Sequence, residues 1–200
     1  RQARLPNFQK PTIVITAKTL KIDPQIYTRG IKAALIASGR SDSEILRVKS
    51  LNYLENILLK ESARARGFDD AVILNTNGIV TECTTSNIFF VIKNKLVTPP
   101  LELGILPGIT RAVCLDIADS LGLGYRERKI RPKDIRQARE AFITNSILEI
   151  APVVKIGNVG LGDEPDYLIN KGRPGEVTKL MRAAYKREVM LELSRLSTGD

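Results

Sequence analysis

The chain has 200 residues, of which 43% are hydrophobic and 26% are charged, values that are ordinary for a globular domain. Its formal net charge is +9, which suggests an anionic partner without identifying one. It contains no histidine, which excludes Ser-His-Asp and Cys-His catalysis and argues against a zinc site.

The first half of the chain is predicted to mix strands with one long helix. β-branched residues predict a strand over 11–18, followed by a linker with a turn at Asp23-Pro24. A second strand is predicted over 31–38, and a near-3.6 apolar repeat predicts a helix over 50–66 that Gly67 ends. The apolar face of that helix consists of Leu51, Leu54, Ile57, Leu58 and Leu59.

The second half begins with two predicted hairpins. Asn77-Gly78 stands between two apolar runs, which is the strongest short hairpin signal, and a further hairpin turns near Asn94. Antiparallel hairpins among helices predict a mixed α/β (α+β) fold. The later predicted elements are a helix over 109–121, a strand over 125–130, a short helix over 132–138, strands over 140–145 and 151–157, and a closing amphipathic helix over 177–196 with Val177, Leu180, Met181, Ala184, Tyr185 and Val189 on one face.

Four segments in a fixed order carry the chemistry. They are RVKSLNYLEN with Lys49, GIVTECTTSNIFF with Glu82, GILPGITRAV with Gly108, Ile109 and Thr110, and ITNSILEIAPV with Thr144, Asn145 and Ser146. Together they resemble the class IV, or fold type IV, pyridoxal-phosphate enzymes, which include branched-chain and D-amino-acid aminotransferases and aminodeoxychorismate lyases. The resemblance covers roughly residues 12–190 and implies the large C-terminal domain of the D-amino-acid aminotransferase-like fold. It implies pyridoxal 5'-phosphate as cofactor, and an amino acid and a 2-keto acid as substrates.

Lys49 is the candidate catalytic residue. An amine nucleophile must form a Schiff base with the cofactor aldehyde, and desolvation at a strand-to-helix junction would favour the neutral, nucleophilic amine. By resemblance Lys49 forms that Schiff base and later moves a proton between Cα and the cofactor's C4′. The alternative is an ordinary solvated lysine.

Glu82 is the candidate partner of the cofactor's pyridine nitrogen. An acid in a strand between apolar runs is unfavourable unless it has a partner. The resemblance supplies that partner, because a carboxylate keeps the ring protonated and electron-withdrawing. The alternative is a surface acid on an edge strand.

Residues 108–110 are the candidate phosphate site. A glycine turn before a helix leaves unpaired N–H groups and a positive dipole end, which suit a phosphate. The N–H groups of Ile109 and Thr110 are the predicted donors, together with the Thr110 hydroxyl, although Thr110 could be a plain helix cap. Residues 144–146 would add bonds to the phosphate or to a substrate carboxylate.

Tyr53 and Leu106 are the remaining cofactor-binding candidates. By resemblance the Tyr53 hydroxyl bonds the cofactor's phenolic oxygen, and the Leu106 side chain packs beneath the ring. Packing in the core is the alternative for both residues.

Lys49 lies early in the chain for this family, whose N-terminal domain has about a hundred residues. We therefore interpret residues 1–24 as a remnant of the N-terminal small domain and a linker, and residues 25–200 as the large cofactor-binding domain. The family's phosphate-binding arginine has no assigned counterpart here. We expect the chain alone to bind the cofactor weakly or not at all and to turn over poorly, with the site at Ile109, Thr110 and Ser146 still able to hold an anion.

Transamination is the first functional hypothesis, and two others stay open. The sequence after Glu82 is closer to D-amino-acid aminotransferases and aminodeoxychorismate lyases than to many branched-chain enzymes. The alternative reaction is therefore the 4-amino-4-deoxychorismate lyase reaction, which eliminates pyruvate and gives 4-aminobenzoate. The chain could also be a cofactor-binding or dimerisation fragment with little activity.

The expected partners follow from the resemblance and the composition. The resemblance implies a homodimer. We expect no nucleic-acid partner, because the basic stretch 126–139 has no aromatic residue that could stack on bases, and no membrane partner, because no apolar run reaches transmembrane length. The two cysteines lack metal-ligand spacing and indicate reduced thiols in a cytoplasmic protein.

Overall fold

A computed structural model describes residues 10, 12–159 and 165–198 of the chain. Within these residues, nine strands form one sheet, with helices on its faces and in its connections. The strands are β1 Ile31–Ala37, β2 Asp70–Leu74, β3 Val80–Cys83, β4 Asn87–Ile92, β5 Lys95–Thr98, β6 Tyr125–Glu127, β7 Ala138–Asn145, β8 Glu149–Asn158 and β9 Tyr167–Leu168. The helices are α1 Ile26–Arg29, α2 Leu54–Arg64, α3 Ile109–Ser120, α4 Pro132–Ile135 and α5 Glu176–Thr198, and 3₁₀ turns span Glu44–Arg47, Leu101–Leu103 and Ile169–Gly172.

The sheet is mixed and curled. Its strand order is β3-β2-β1-β8-β7-β4-β5-β6, and β9 pairs with β8. The pairs β1–β2, β1–β8 and β5–β6 are parallel, and the other pairs are antiparallel. The curl brings the far strand β3 back to β4, where the Cys83 N–H donates to the Ser86 carbonyl at 2.8 Å. The predicted α+β class and both predicted hairpins are confirmed.

Successive side chains along each strand point to opposite faces of the sheet, so a hydrophobic core forms on each face. On β4, Ile88 and Phe90 point into the core enclosed by the curl, whereas Phe89 points to the layer formed by α3 and α5. There Phe89 stacks on Phe142 of β7, with ring centroids 5.0 Å apart. Met181 of α5 completes this second core, so α3 is fixed firmly to the strands below it.

Helix α2 packs on the outside of β1 and β2 in a way that its apolar pattern did not predict. Its contact is made through the small residues Ala34, Ala63 and Ala71, while Leu54, Ile57 and Leu58 are exposed. Of the predicted apolar face, Leu59 is partly buried against this cluster, and the rest of the face is exposed. The helix is also shorter than predicted, ending at Arg64.

The first predicted strand is wrong for the residues that the structure describes. Residues 12–22 adopt neither helix nor strand, and Ile13 and Ile15 are largely exposed. A β-branched run needs a neighbouring strand to hydrogen-bond with, and here no described strand lies beside it. Part of the proposed remnant, residues 1–9 and 11, lies outside the described residues.

The downstream elements agree with prediction to within a few residues. The apolar face of α5 differs from the prediction at one residue. Leu180 is exposed, and Thr178 is buried near the start of the helix instead. No helix in the described part of the chain is long and apolar enough to cross a bilayer.

Candidate active site

Glu82 lies buried near the end of β3 and has protein partners on both carboxylate oxygens. Its Oε2 accepts a hydrogen bond from the Leu106 backbone N–H at 3.1 Å. Its Oε1 lies 3.7 Å from a guanidinium nitrogen of Arg40. Burial raises the pKa of the Glu82 carboxyl from the usual 4.5 to about 7, although the Leu106 N–H and the Arg40 charge both act to lower it.

Asn87, at the start of β4, joins Glu82 to the loop before α3. Its Nδ2 donates to the Leu106 carbonyl at 2.9 Å and lies 3.5 Å from Oε2 of Glu82. Its Oδ1 is so close to Gly108 that a Cβ there would lie 2.2 Å away. Gly108 is therefore a glycine because of this close approach, since its backbone conformation is one that any residue can adopt. The asparagine that opens an apolar strand was the available signal for this residue, and sequence reasoning missed it.

The first turn of α3 is free of side-chain capping. Gly108 occupies the N-cap position, and within the described residues no side chain accepts a hydrogen bond from the first N–H groups. Ile109 is exposed and Thr110 is buried. The helix has 12 residues, so its dipole and its uncapped N–H groups together favour an anion at this end.

Thr144 of β7 adds an unpaired hydroxyl beside this turn. It pairs directly with Asn87 across the ladder, so their side chains share one face of the sheet. Its Oγ1 is buried and has no hydrogen-bond partner among the described residues. A buried hydroxyl without a partner is unfavourable, so this position suits a ligand that accepts a hydrogen bond from the Thr144 hydroxyl.

Asn145 and Ser146 follow at the turn between β7 and β8. The Asn145 side chain accepts from the N–H groups of Ile147 and Leu148 and donates to the Ser86 hydroxyl at 3.0 Å. It therefore holds the turn together and connects it to the β3–β4 turn. Ser146 is exposed, and its side chain makes no hydrogen bond within the described residues.

Lys49 does not lie at the predicted strand-to-helix junction. It belongs to an irregular stretch between the 3₁₀ turn Glu44–Arg47 and α2, and its side chain is exposed. Within the described part of the chain it forms no ion pair or hydrogen bond. The desolvation expected for its amine is therefore absent from this structure.

Tyr53 anchors the Lys49 stretch to the Glu82 region. Its hydroxyl donates to the Thr84 carbonyl at 2.5 Å, and the Asn56 side chain donates to the same oxygen at 2.6 Å. Burial raises the pKa of the Tyr53 hydroxyl. Because its proton is used in this bond, Tyr53 acts here as a brace for the β3–β4 turn.

Arg40 is the residue that sequence reasoning missed most completely. Its Nε donates to Glu55 at 2.7 Å, another nitrogen donates to the Asn56 side chain, and a third faces Glu82. It lies in the polar stretch GRSDSE, which resembles a solvated loop and carries no periodic signal. Its side chain is nevertheless only 9% exposed.

The structure thus brings together one group of predicted site residues and leaves others apart. Glu82, Leu106 and Gly108 are joined through Asn87, and the uncapped start of α3 follows directly. The residues present fit a ligand that carries a phosphate at one end and a basic nitrogen at the other, because the unpaired Thr144 hydroxyl and the helix start suit the phosphate and Glu82 suits the nitrogen. Lys49 and Ser146 make no described contact with this group.

Comparison with known proteins gives consistent matches. The family model described as amino-transferase class IV matches residues 1–156. Over 179 residues the chain is 36% identical to a Methanocaldococcus jannaschii protein named as a branched-chain-amino-acid aminotransferase, covering 88% of this chain and 59% of that protein. It is 30% identical over 183 residues to the aminodeoxychorismate lyase of Bacillus subtilis, covering 91% of this chain and 59% of the lyase.

A solved structure agrees with these matches. The branched-chain amino acid aminotransferase of Thermobaculum terrenum, solved in its PLP form, superposes with a TM-score of 0.71 at 31% identity. The match covers 84% of this chain and 53% of that one. The chain therefore spans little more than half the length of the relatives that it matches.

Proposed function

The chain belongs to the class IV aminotransferase family, and on that premise we propose that it acts in a pyridoxal-phosphate-dependent aminotransferase. The reaction moves an amino group between an amino acid and a 2-keto acid. In this proposal residues 25–200 form the large cofactor-binding domain, and residues 1–24 are the remnant of a smaller domain with its linker.

One observation carries the proposal. A buried carboxyl, Glu82, is tied by Asn87 to the uncapped start of a 12-residue helix. A cationic nitrogen and a phosphate in one ligand would satisfy both places at once. Neither feature benefits the chain alone, because burying an acid is unfavourable and leaving a helix start uncapped forgoes stabilisation.

The cofactor-binding roles are divided among the chain's own residues. Glu82 would accept a hydrogen bond at Oε1 from the protonated ring nitrogen, and the N–H groups of Ile109 and Thr110 would hold the phosphate, with Ser146 as a further donor. Thr144 joins this set on the strength of its unpaired hydroxyl. Leu106 and Asn145 border the site, and Gly108 gives the backbone its close approach to Asn87.

Lys49 and Tyr53 are assigned the remaining roles by family resemblance. Lys49 would hold the cofactor through its Nζ, and this amine, once the amino group of the substrate has displaced it, would accept and return the proton at the substrate Cα. When bound, the cofactor supplies a protonated ring that withdraws electrons from that carbon. Tyr53 would hold the turn after Glu82, and a bond from its hydroxyl to the phenolic oxygen of the cofactor would require that proton to leave the Thr84 carbonyl.

The second candidate function is the lyase reaction, and a specific observation favours it. The Bacillus subtilis aminodeoxychorismate lyase aligns with 91% of this chain, more than is covered by the branched-chain relative described above. The turn after Glu82, Cys83-Thr84-Thr85-Ser86, also lacks the glycines typical of branched-chain enzymes.

A spectrophotometric titration followed by a substrate panel tests the proposal. Pyridoxal phosphate should give a visible absorbance band with the chain, and a panel of amino acids with 2-keto acids should give the exchanged keto product. Pyruvate and 4-aminobenzoate from aminodeoxychorismate would identify the lyase instead. A band without turnover would identify a cofactor-binding module, and the absence of both products at a cofactor concentration that gives a full band would contradict both enzymes.

We further propose that the chain forms homodimers in the cytoplasm. The supporting feature for the dimer is the exposed apolar surface of α2 and the stretch before it, which a second copy could bury. The support for the location is that Cys83 and Cys114 are both buried free thiols, as is usual in a reducing compartment. The apolar surface consists of Val48, Leu51, Leu54, Ile57 and Leu58.

A further inference from the structure

We propose that Arg40 is a positioning residue for Glu82, favouring the ionised form of the buried carboxyl while leaving Oε1 free to accept a hydrogen bond. The inference rests on the proposed function only for the identity of that donor, the cofactor's ring nitrogen. Its geometric basis lies entirely within the chain.

The guanidinium of Arg40 is fixed on three sides. Its Nε donates to Glu55 at 2.7 Å and another nitrogen donates to Asn56, so helix α2 fixes its plane. The remaining nitrogen is thereby directed at Glu82 Oε1, 3.7 Å away. The long side chain is thus ordered before any ligand arrives.

The backbone of Arg40 is fixed as well. Its carbonyl accepts from the Thr76 N–H at 2.9 Å, and its own N–H donates to the Ser38 hydroxyl at 3.2 Å. Thr76 lies in the turn between β2 and β3, the hairpin that carries Glu82. Arg40 and Glu82 are therefore held by the same hairpin, and their separation is set by the fold.

The distance of 3.7 Å suits a charge effect without a hydrogen bond. The Leu106 N–H and the Asn87 side chain both contact Oε2, so Oε1 can still accept a hydrogen bond. In a buried site a positive charge at this distance favours the ionised carboxyl and acts against the larger effect of burial. Arg40 can thus oppose the effect of burial without occupying the position that the ring nitrogen needs.

Other charged and titratable groups face the same carboxyl, and their effects are largely balanced. Asp70 is paired with Lys60 at 3.8 Å and accepts from the Thr84 hydroxyl. The Tyr53 hydroxyl and the Cys83 thiol are neutral at physiological pH, since burial raises the pKa of both. Glu55 reduces the charge of Arg40 from the opposite side. Among the described residues, Arg40 is the cation that lies within 4.0 Å of Glu82.

The test is a carboxyl titration of the cofactor-free chain. Glutamate labelled with ¹³C at the side-chain carboxyl gives one signal for each residue, and the signal that Glu82→Gln removes belongs to Glu82. We expect Arg40→Met to raise its titration midpoint by about one pH unit or more. Arg40→Lys should restore part of the shift, and Glu55→Gln should lower the midpoint. The matched control is Arg128→Met, which removes an arginine paired with Asp134 elsewhere.

The possible results distinguish the proposed role of Arg40 from the proposed pairing of Glu82 with the ring nitrogen. An unchanged Glu82 midpoint in folded Arg40→Met would overturn the role of Arg40. If Arg40→Met does not fold, unchanged midpoints in both Arg40→Lys and Glu55→Gln would overturn it equally. A second measurement uses pyridoxal phosphate labelled with ¹⁵N in the ring, whose signal should shift toward the unprotonated nitrogen in Arg40→Met. A moved carboxyl midpoint without that shift would support Arg40 and refute the assignment of Glu82 to the ring.

Discussion

Replacing Glu82 by glutamine should stabilise the cofactor-free chain at alkaline pH. Keeping the folded-state carboxyl ionised against a pKa of about 7, compared with the usual 4.5, costs about 3 kcal/mol at 1.36 kcal/mol per pH unit. Glutamine has nearly the same shape and still offers an oxygen to the Leu106 N–H, but it carries no charge. The substitution therefore removes the unfavourable burial of a charge and retains the main hydrogen bond.

The pH dependence has a definite sign. The folded-state pKa lies above the unfolded value, so binding a proton at Glu82 favours the folded chain. This stabilisation is complete below about pH 4.5, declines as the pH rises, and is lost above about pH 7. Glu82→Gln has no carboxyl at this position. Its free energy of unfolding relative to the wild type should therefore increase from about pH 4.5 to about pH 7 and then stay constant.

Urea unfolding followed by circular dichroism measures the effect. Between about pH 5 and about pH 8, the free energy of unfolding of Glu82→Gln should rise by about 2.5 kcal/mol relative to the wild type. The control is Glu102→Gln, since Glu102 is exposed and its replacement should produce no pH-dependent difference. Parallel stability curves for Glu82→Gln and the wild type would refute the reasoning, because they would mean that burial does not penalise this charge.

Three further substitutions probe the rest of the site and the apolar surface. Lys49→Ala should abolish borohydride fixation of pyridoxal phosphate on the chain, whereas Lys60→Ala should retain it, and peptide mapping of the label to another lysine would contradict the assignment. Gly108→Ala should cost about 1–3 kcal/mol in urea unfolding, because the new Cβ would lie 2.2 Å from a buried carboxamide oxygen. Gly39→Ala faces open space and should be neutral. Leu58→Glu should weaken self-association in sedimentation equilibrium, and an unchanged dissociation constant would place the interface elsewhere.

Local signals predicted the elements that carry the site. Asn77-Gly78 predicted the β2–β3 hairpin, and Gly108 followed by apolar periodicity predicted helix α3. Both depend on a few neighbouring residues, whose conformational preferences agree with the fold. The strand predicted near the N-terminus was wrong for the opposite reason, because β-branched residues can favour an extended chain but cannot supply a neighbouring strand.

The partners of Glu82 could not be predicted in this way. Arg40 and Leu106 are respectively 42 residues before and 24 residues after Glu82 in the chain, and the tertiary fold brings them together. Sequence periodicity also could not distinguish the exposed apolar face of α2 from a core face. The side chains that give the helix its periodic pattern have the same spacing whether they meet the core or another surface.

The carboxamide of Asn87 fixes the distance between the two ends of the site. It bonds to the loop before α3 and lies against Glu82, so the start of the helix and the buried carboxyl are held at one separation by a single side chain on a stacked, aromatic-rich strand. A rigid spacing of this kind selects ligands by the length between their charged ends, as well as by the charges themselves. Pyridoxal without its phosphate, or a phosphate on a longer arm, would then engage one end and miss the other.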